Sequence, residues 1–159
     1  VSMTVNYIAY NAAVPTTAAM SPVATGTSIK TLLQLTAPST RQLLILEWGI
    51  SFDGNPSAIK TELINTTTVA GGTPTAVTPS VLTPGGPPSL ATAGFSPSSE
   101  GSVVATCRVF DNPVLSANTY VKQWPLGYEP VVDVSQVVRI RVTAAVTVNA
   151  LCYIAWREG

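Results

Sequence analysis

Proline or glycine interrupts this chain about every ten residues, and Thr, Val, Ile and aromatic residues dominate the stretches between. With 13 Pro and 11 Gly spread over 159 residues, little room is left for a long helix, and helical periodicity is almost absent. The apolar residues alternate instead at the period of a strand. This pattern predicts an all-β fold, an antiparallel β-sandwich of the jelly-roll type, with an immunoglobulin-like sandwich as the alternative. The mass of 16.5 kDa suits a single β-sandwich domain spanning 1–159, with a core large enough to need neither disulfide nor metal.

Roughly eight to ten strands are expected. The first runs from about Met3 to Tyr10, with Val5 and Tyr7 on one face, and an extended Pro- and Thr-rich loop follows to Gly26. Ile29, Thr31, Leu33 and Leu35 mark the second. The strongest signal lies between Arg41 and Asp53, where Leu44, Leu46, Trp48, Ile50 and Phe52 alternate and should face the core. Leu43 and Ile45 then fall on the opposite face, which requires cover there as well. Asp53-Gly54-Asn55-Pro56 has turn chemistry, so Ser57 to Thr67 is expected to return as the antiparallel partner. From residue 69 to 99 Pro, Gly and Thr crowd together, predicting a long insertion loop with one short strand near Ala76 to Leu82. Such an arm has little chain entropy to lose and suits lying across a neighbour. Patterning resumes at Ser102–Phe110, Thr119–Trp124, Val131–Val134, Val137–Val146 and Thr147–Trp156. The last two read as a hairpin. In it Val138, Ile140 and Val142 face inward, Arg139 and Arg141 face outward, and Val148, Ala150, Cys152, Ile154 and Trp156 form the opposing core row.

The chain has no histidine, and only 10% of its residues are charged while 46% are hydrophobic. It therefore lacks the usual acid/base of neutral-pH catalysis and the commonest metal ligand. No enzyme activity, catalytic residue, cofactor or metal is expected. Eight Lys and Arg balance eight Asp and Glu, so no basic stripe exists to neutralise phosphates, and nucleic-acid binding is not expected. No apolar run approaches the roughly 18 residues of a membrane-spanning helix, and the start at Val1 lacks the features of a signal peptide. Near-zero net charge removes the repulsion that keeps many soluble chains apart.

The individual candidates read mostly as packing. Cys107 and Cys152 are expected to be small buried residues, although their strand positions leave a disulfide geometrically open. Glu47 should be an outward side chain paired with an arginine of its own sheet. Asp53, Asp111 and Asp133 should form turns, since no calcium-loop spacing surrounds them. Arg108, Arg139 and Arg141 are either cross-strand partners of carboxylates or interface anchors. No serine motif accompanies Lys30, Lys60 or Lys122. Asn65-Thr66-Thr67 matches a glycosylation sequon, with no secretion signal to support its use. Lys122 to Pro130 forms a distinctive turn in which Trp124 and Tyr128 bracket Pro125 and Gly127. It suits a pinned loop or subunit interface better than a sugar platform.

Four segments then converge: Leu46-Glu47-Trp48-Gly49-Ile50-Ser51-Phe52-Asp53-Gly54, Arg108-Val109-Phe110-Asp111, Gln123-Trp124-Pro125-Leu126-Gly127, and Leu151-Cys152-Tyr153-Ile154-Ala155-Trp156. Together they resemble a family of small proteins encoded among the virion genes of tailed phages, particularly those infecting actinobacteria. The resemblance runs from about Lys30 to the C-terminus, with the Pro-rich middle least similar, and it carries over no catalytic residue. It implies a virion setting, in which jelly-roll modules serve as trimeric capsid decoration proteins and as fibre tips. The expected function is a capsid decoration or cementing protein, a homotrimer bound to the major capsid protein on the outer head surface. A receptor-binding or adhesin head of a fibre is the alternative. Expected interface anchors are Tyr7, Tyr10, Trp124, Tyr128 and Arg141.

Overall fold

The computed structural model of the chain describes residues 4–14, 17–54, 57–67, 73–100 and 107–159. Among them are fourteen strands and no helix. The strands are β1 (Asn6–Tyr10), β2 (Val23–Ala24), β3 (Lys30–Thr36), β4 (Leu43–Phe52), β5 (Ile59–Thr66), β6 (Thr75–Val77), β7 (Ser80–Val81), β8 (Thr92–Phe95), β9 (Arg108–Asp111), β10 (Val114–Leu115), β11 (Thr119–Gln123), β12 (Val131–Val132), β13 (Val137–Thr143) and β14 (Asn149–Glu158). The strand expectations at Met3 and 102–106, the turn positions Asn55 and Pro56, and the start of the insertion at 69–72 lie outside the described residues.

Two antiparallel sheets pack face to face, and the all-β sandwich read from the sequence is what forms. The front sheet has the order β11-β4-β14-β1-β7, with β12 also on β4 and β2 also on β14. The back sheet runs β10-β5-β13-β3-β8-β6, with β9 also on β5. The long strands pair in a nested series. β1 pairs with β14, β3 with β13, β4 with β11 and β12, and β5 with β9 and β10. The chain thus behaves as one long hairpin wrapped around the core, its successive strands shared between two sheets.

This wrapping corrects two pairings expected from sequence. β4 and β5 do not form a hairpin, and neither do β13 and β14, because each couple is divided between the sheets. The turn after β4 is tied elsewhere: Asn149 donates its backbone N–H and its amide to the Asp53 carboxylate, both at 3.0 Å. Thr25 likewise donates its backbone N–H to Val148 at 2.8 Å, which tethers the link before β14 to the segment after β2. A tight hairpin and a sheet-to-sheet crossing use the same turn residues, and in both cases each strand turns an apolar row to the same core.

The phase of β4 is the second correction. Ala155 lies opposite Glu47 but Trp156 lies opposite Ile45, so Leu46 is an extra residue at a β-bulge. One inserted residue exchanges the two faces of everything beyond it. The core row is therefore Leu43, Ile45, Trp48, Ile50 and Phe52, all buried, while Leu44 and Leu46 lie half-buried on the outer face. From β14, Ala150, Cys152, Ile154 and Trp156 complete that wall as expected. Tyr7 stacks on Trp156 with ring centroids 6.0 Å apart. Leu33, Leu35, Leu63, Val138, Ile140 and Val142 oppose them from the back sheet.

The Pro- and Gly-rich insertion is not a free arm. Its described part, residues 73–99, supplies β6, β7 and β8, which extend both sheets along one side. β8 pairs with β3, β6 with β8, and β7 with β1. Open sheet edges invite pairing with other chains, and this segment occupies them. Gly94 permits a close approach, since a Cβ there would stand 2.9 Å from the Pro74 ring. The Glu158 carboxylate fixes the far end, accepting from the Ser89 hydroxyl, from the Leu90 and Ala91 N–H groups at 3.2 Å, and from the Trp156 indole at 3.3 Å.

Candidate functional site

The back sheet's outer face is largely occupied by the chain itself. Arg139 on this face is fully buried rather than solvent-facing, and its guanidinium lies 3.7 Å from the Glu100 carboxylate. Glu100 also accepts from the Thr31 backbone N–H and, at 2.8 Å, from its hydroxyl. Arg141 forms a cross-strand ion pair with Glu62 at 2.5 Å, and Arg108 donates to the Asn65 side-chain oxygen at 2.8 Å. Of the two roles open to these arginines, Arg141 takes that of a cross-strand partner to a carboxylate, while Arg108 bonds the Asn65 amide oxygen and the Val131 carbonyl instead. Arg141, one of the expected interface anchors, is thereby engaged within its own sheet. Asn65 is itself buried and donates to the Val137 carbonyl at 3.0 Å, which leaves the sequon inaccessible in the folded chain.

Tyr7, a second expected anchor, is turned into the core. It is 2% exposed, because period-two alternation from Val5 points it into the core. Its hydroxyl donates to the Pro87 carbonyl at 3.1 Å, and burial holds its pKa above the usual value. Tyr10 lies at the opposite end of β1 on the outer face, half-buried, with its ring 5.7 Å from that of Tyr153.

The outer face of the front sheet carries Ile8, Tyr10, Leu44, Leu46, Val121 and Tyr153. Tyr153 crosses directly over Gly49 in register, and its ring leaves no room for a Cβ there: Cε1 would be 2.6 Å away. Its hydroxyl donates to Glu47 at 2.7 Å, so the Glu47 partner is a tyrosine and not the arginine expected.

One end of this face is closed by the turn from Trp124 to Glu129. Trp124 is half-buried against the core, and its backbone N–H donates to Leu46 at 3.2 Å. Tyr128 donates its N–H back to the Pro125 carbonyl at 3.0 Å, making Leu126 and Gly127 the two central residues of a tight turn. Gly127 has φ +89°, which L side chains rarely adopt. Its N–H donates to the Glu129 carboxylate at 2.7 Å. On this fixed frame Leu126 is 85% exposed and Tyr128 77% exposed. Beside them lies a groove of about 400 Å³ bordered by Leu46, Trp124, Leu126, Glu129 and Arg157. Of the five residues expected to anchor contacts, the structure brings Trp124 and Tyr128 together and leaves Tyr10 on the adjoining face. Leu126 was missed, although Pro-Leu-Gly-Tyr already reads as a turn that points its second residue outward.

The acidic candidates divide. Asp53 and Asp133 are turn residues. Their carboxyls are held below the usual range, Asp53 by the Asn149 side-chain amide and Asp133 by the Gln42 amide. Asp111 instead bridges the sheets, accepting from the Trp48 indole at 3.0 Å and the Tyr120 hydroxyl at 2.7 Å. Cys107 and Cys152 are both free thiols. Among the described residues no three His, Cys, Asp or Glu side chains are grouped so as to hold a metal ion. Comparison with protein-family models, with curated proteins and with solved structures finds no match for this chain.

Proposed function

We propose that this chain is a structural protein of a tailed-phage virion, a non-enzymatic capsid decoration or cementing protein. It binds the major capsid protein on the outer surface of the head as a homotrimer, after synthesis in the host cytoplasm. The observation that carries this reading is the Trp124–Glu129 turn. Two large side chains, Leu126 and Tyr128, stand in solvent on a backbone held by hydrogen bonds from both ends. Burying one such side chain against a partner is worth about 1.5–3 kcal/mol, and a rigid frame lowers the ordering cost of doing so. The nested strand order supports reading the sandwich as a jelly roll, and the sequence resemblance supports the virion setting.

In this mechanism the protein acts by linkage. A ligand that binds only the assembled, expanded shell stabilises that shell by mass action. The turn and the apolar outer face of the front sheet supply the contacts. The Pro-rich insertion, which lies along its own sheet edges, is not the contacting arm.

The test is to heat purified heads with and without bound protein and to follow shell disruption by light scattering. Decorated heads should break at a higher temperature, and equal temperatures would sink the cementing role. Multi-angle light scattering of the isolated protein should give three times the monomer mass.

A further inference from the structure

A second feature lies away from the turn, where the segment following β2 faces the segment following β8. A cleft of about 460 Å³ separates residues 25–30 from residues 96–100. Its walls carry six hydroxyl side chains: Thr25, Thr27, Ser28, Ser96, Ser98 and Ser99. Both walls are pinned. Thr25 is tied to Val148 in both directions, by its backbone N–H at 2.8 Å and its hydroxyl oxygen at 3.2 Å. Ser96 donates its N–H to Leu32 at 3.3 Å and sits at φ +47°, a conformation few serines adopt. Its hydroxyl oxygen is buried and has no hydrogen-bond partner.

The chemistry of the lining selects a ligand class. One cation and one anion border the cleft, and each is already engaged: Lys30 donates to the Ala24 carbonyl at 2.9 Å, and both Glu100 oxygens accept from Thr31. An ionic ligand finds no unbalanced charge there. A wholly apolar ligand would strip water from the four exposed hydroxyls, Thr27, Ser28, Ser98 and Ser99, without replacing their bonds, which is costly. Ile29, 44% exposed, adds a small apolar surface among the hydroxyls. A ligand that presents C–H faces and many hydroxyls satisfies both kinds of surface. We propose that this cleft is a binding site for a neutral saccharide unit, with Ser96 Oγ bonding one of its hydroxyls. This goes beyond the cementing role, and the two stand or fall separately, because sugar binding is measured on the isolated protein without heads.

The experiment is a titration of ¹⁵N-labelled protein with the methyl glycosides of glucose, galactose, mannose and N-acetylglucosamine. Saturable shifts confined to the amides of Gly26–Lys30, Ser96 and Ser98–Glu100, stronger for one sugar than for the others, are expected. Ser98→Trp, at an exposed position, should fill the cleft and abolish the response while leaving the rest of the spectrum in place. Ser96→Ala should weaken binding about tenfold, as expected for one lost hydrogen bond in a buried setting. The proposal is overturned by no saturable shift with any sugar, by identical non-saturating shifts with all four, or by shifts centred on Tyr10, Tyr153 or Trp124.

Discussion

Trp48 and Asp111 belong to opposite sheets, and the indole N–H of the first donates to the carboxylate of the second at 3.0 Å. Trp48 is fully buried on β4, and Asp111 ends β9 at the rim of the core. Tyr120, its ring 5.5 Å from that of Trp48, donates to the same carboxylate oxygen. Asp111 therefore works as a latch between sheets. Replacing it with Ala leaves a buried indole N–H unbonded and should cost about 2–3 kcal/mol, read as a lower urea midpoint. Asp111→Asn retains an acceptor and should cost less than half as much. A midpoint unchanged in Asp111→Ala would refute the latch.

The latch also sets an alkaline limit. Burial, followed by the Asp111 hydrogen bond, raises the Tyr120 phenol from 10.0 to about 12. A group whose folded pKa lies above its unfolded value contributes stability in full below the unfolded pKa and loses it as pH rises through the folded one. Stability should therefore fall between about pH 10 and pH 12. Tyr120→Phe should make that part of the profile shallower, measured by denaturant titration at stepped pH, with the remaining slope left to Tyr7, Tyr153 and Cys152, whose pKa values burial also raises.

Acid should loosen the insertion. Burial alone would raise the Glu158 carboxyl, but donors from Ser89, Leu90, Trp156 and Ala91 outweigh it and hold the pKa below 4.5. For such a group the stabilisation is present above the unfolded pKa and disappears as pH falls through the folded one. Glu158→Gln at neutral pH should mimic that loss. Hydrogen exchange at Leu90 and Ala91 should accelerate about tenfold or more, with little change in the centre of β13.

On the proposed reading, the exposed turn separates binding from folding. Leu126→Asp and Tyr128→Ser remove apolar surface that touches little of their own chain, so stability should move by less than about 0.5 kcal/mol in thermal unfolding. Co-sedimentation with heads should fall about tenfold or more in the double variant. Undiminished co-sedimentation would exclude this turn as the head contact.

The thiols give a simple check on the packing. Cys152 is fully buried in β14, and burial pushes its pKa well up, whereas Cys107 is partly exposed ahead of β9. A thiol reagent should titrate one cysteine in native protein and two in denaturant, without added reductant. Finding none under either condition would mean that the two had paired.

The sequence made the fold class legible because strand alternation and turn residues are local. Alternation alone placed the inward row of β13 correctly, and Val138, Ile140 and Val142 are all buried there. The phase of β4 was not legible, since nothing in Leu43-Leu44-Ile45-Leu46 marks which leucine is inserted at the bulge; four apolar residues fit either face. Arg139 read as solvent-facing because its cover, Glu100, lies 39 positions away. The Asp111 latch was hidden for a similar reason: its partner Trp48 is 63 positions earlier. Glu158 and the insertion meet only once β14 is in place. Of the turn, Trp124 and Tyr128 stood out by residue type, whereas Leu126 becomes conspicuous only through its exposure.

The position of β14 governs how this chain must be made. It is the last of the fourteen described strands to be synthesised, yet it lies in the middle of the front sheet and pairs with β1, β2 and β4. Until it leaves the ribosome, β1 and β4 lack their shared neighbour, and an apolar half-sandwich is open to any other nascent chain. Assembly of the front sheet therefore waits on the last of these strands, and a ribosome stalled within β14 would release an aggregation seed in place of a closed sandwich.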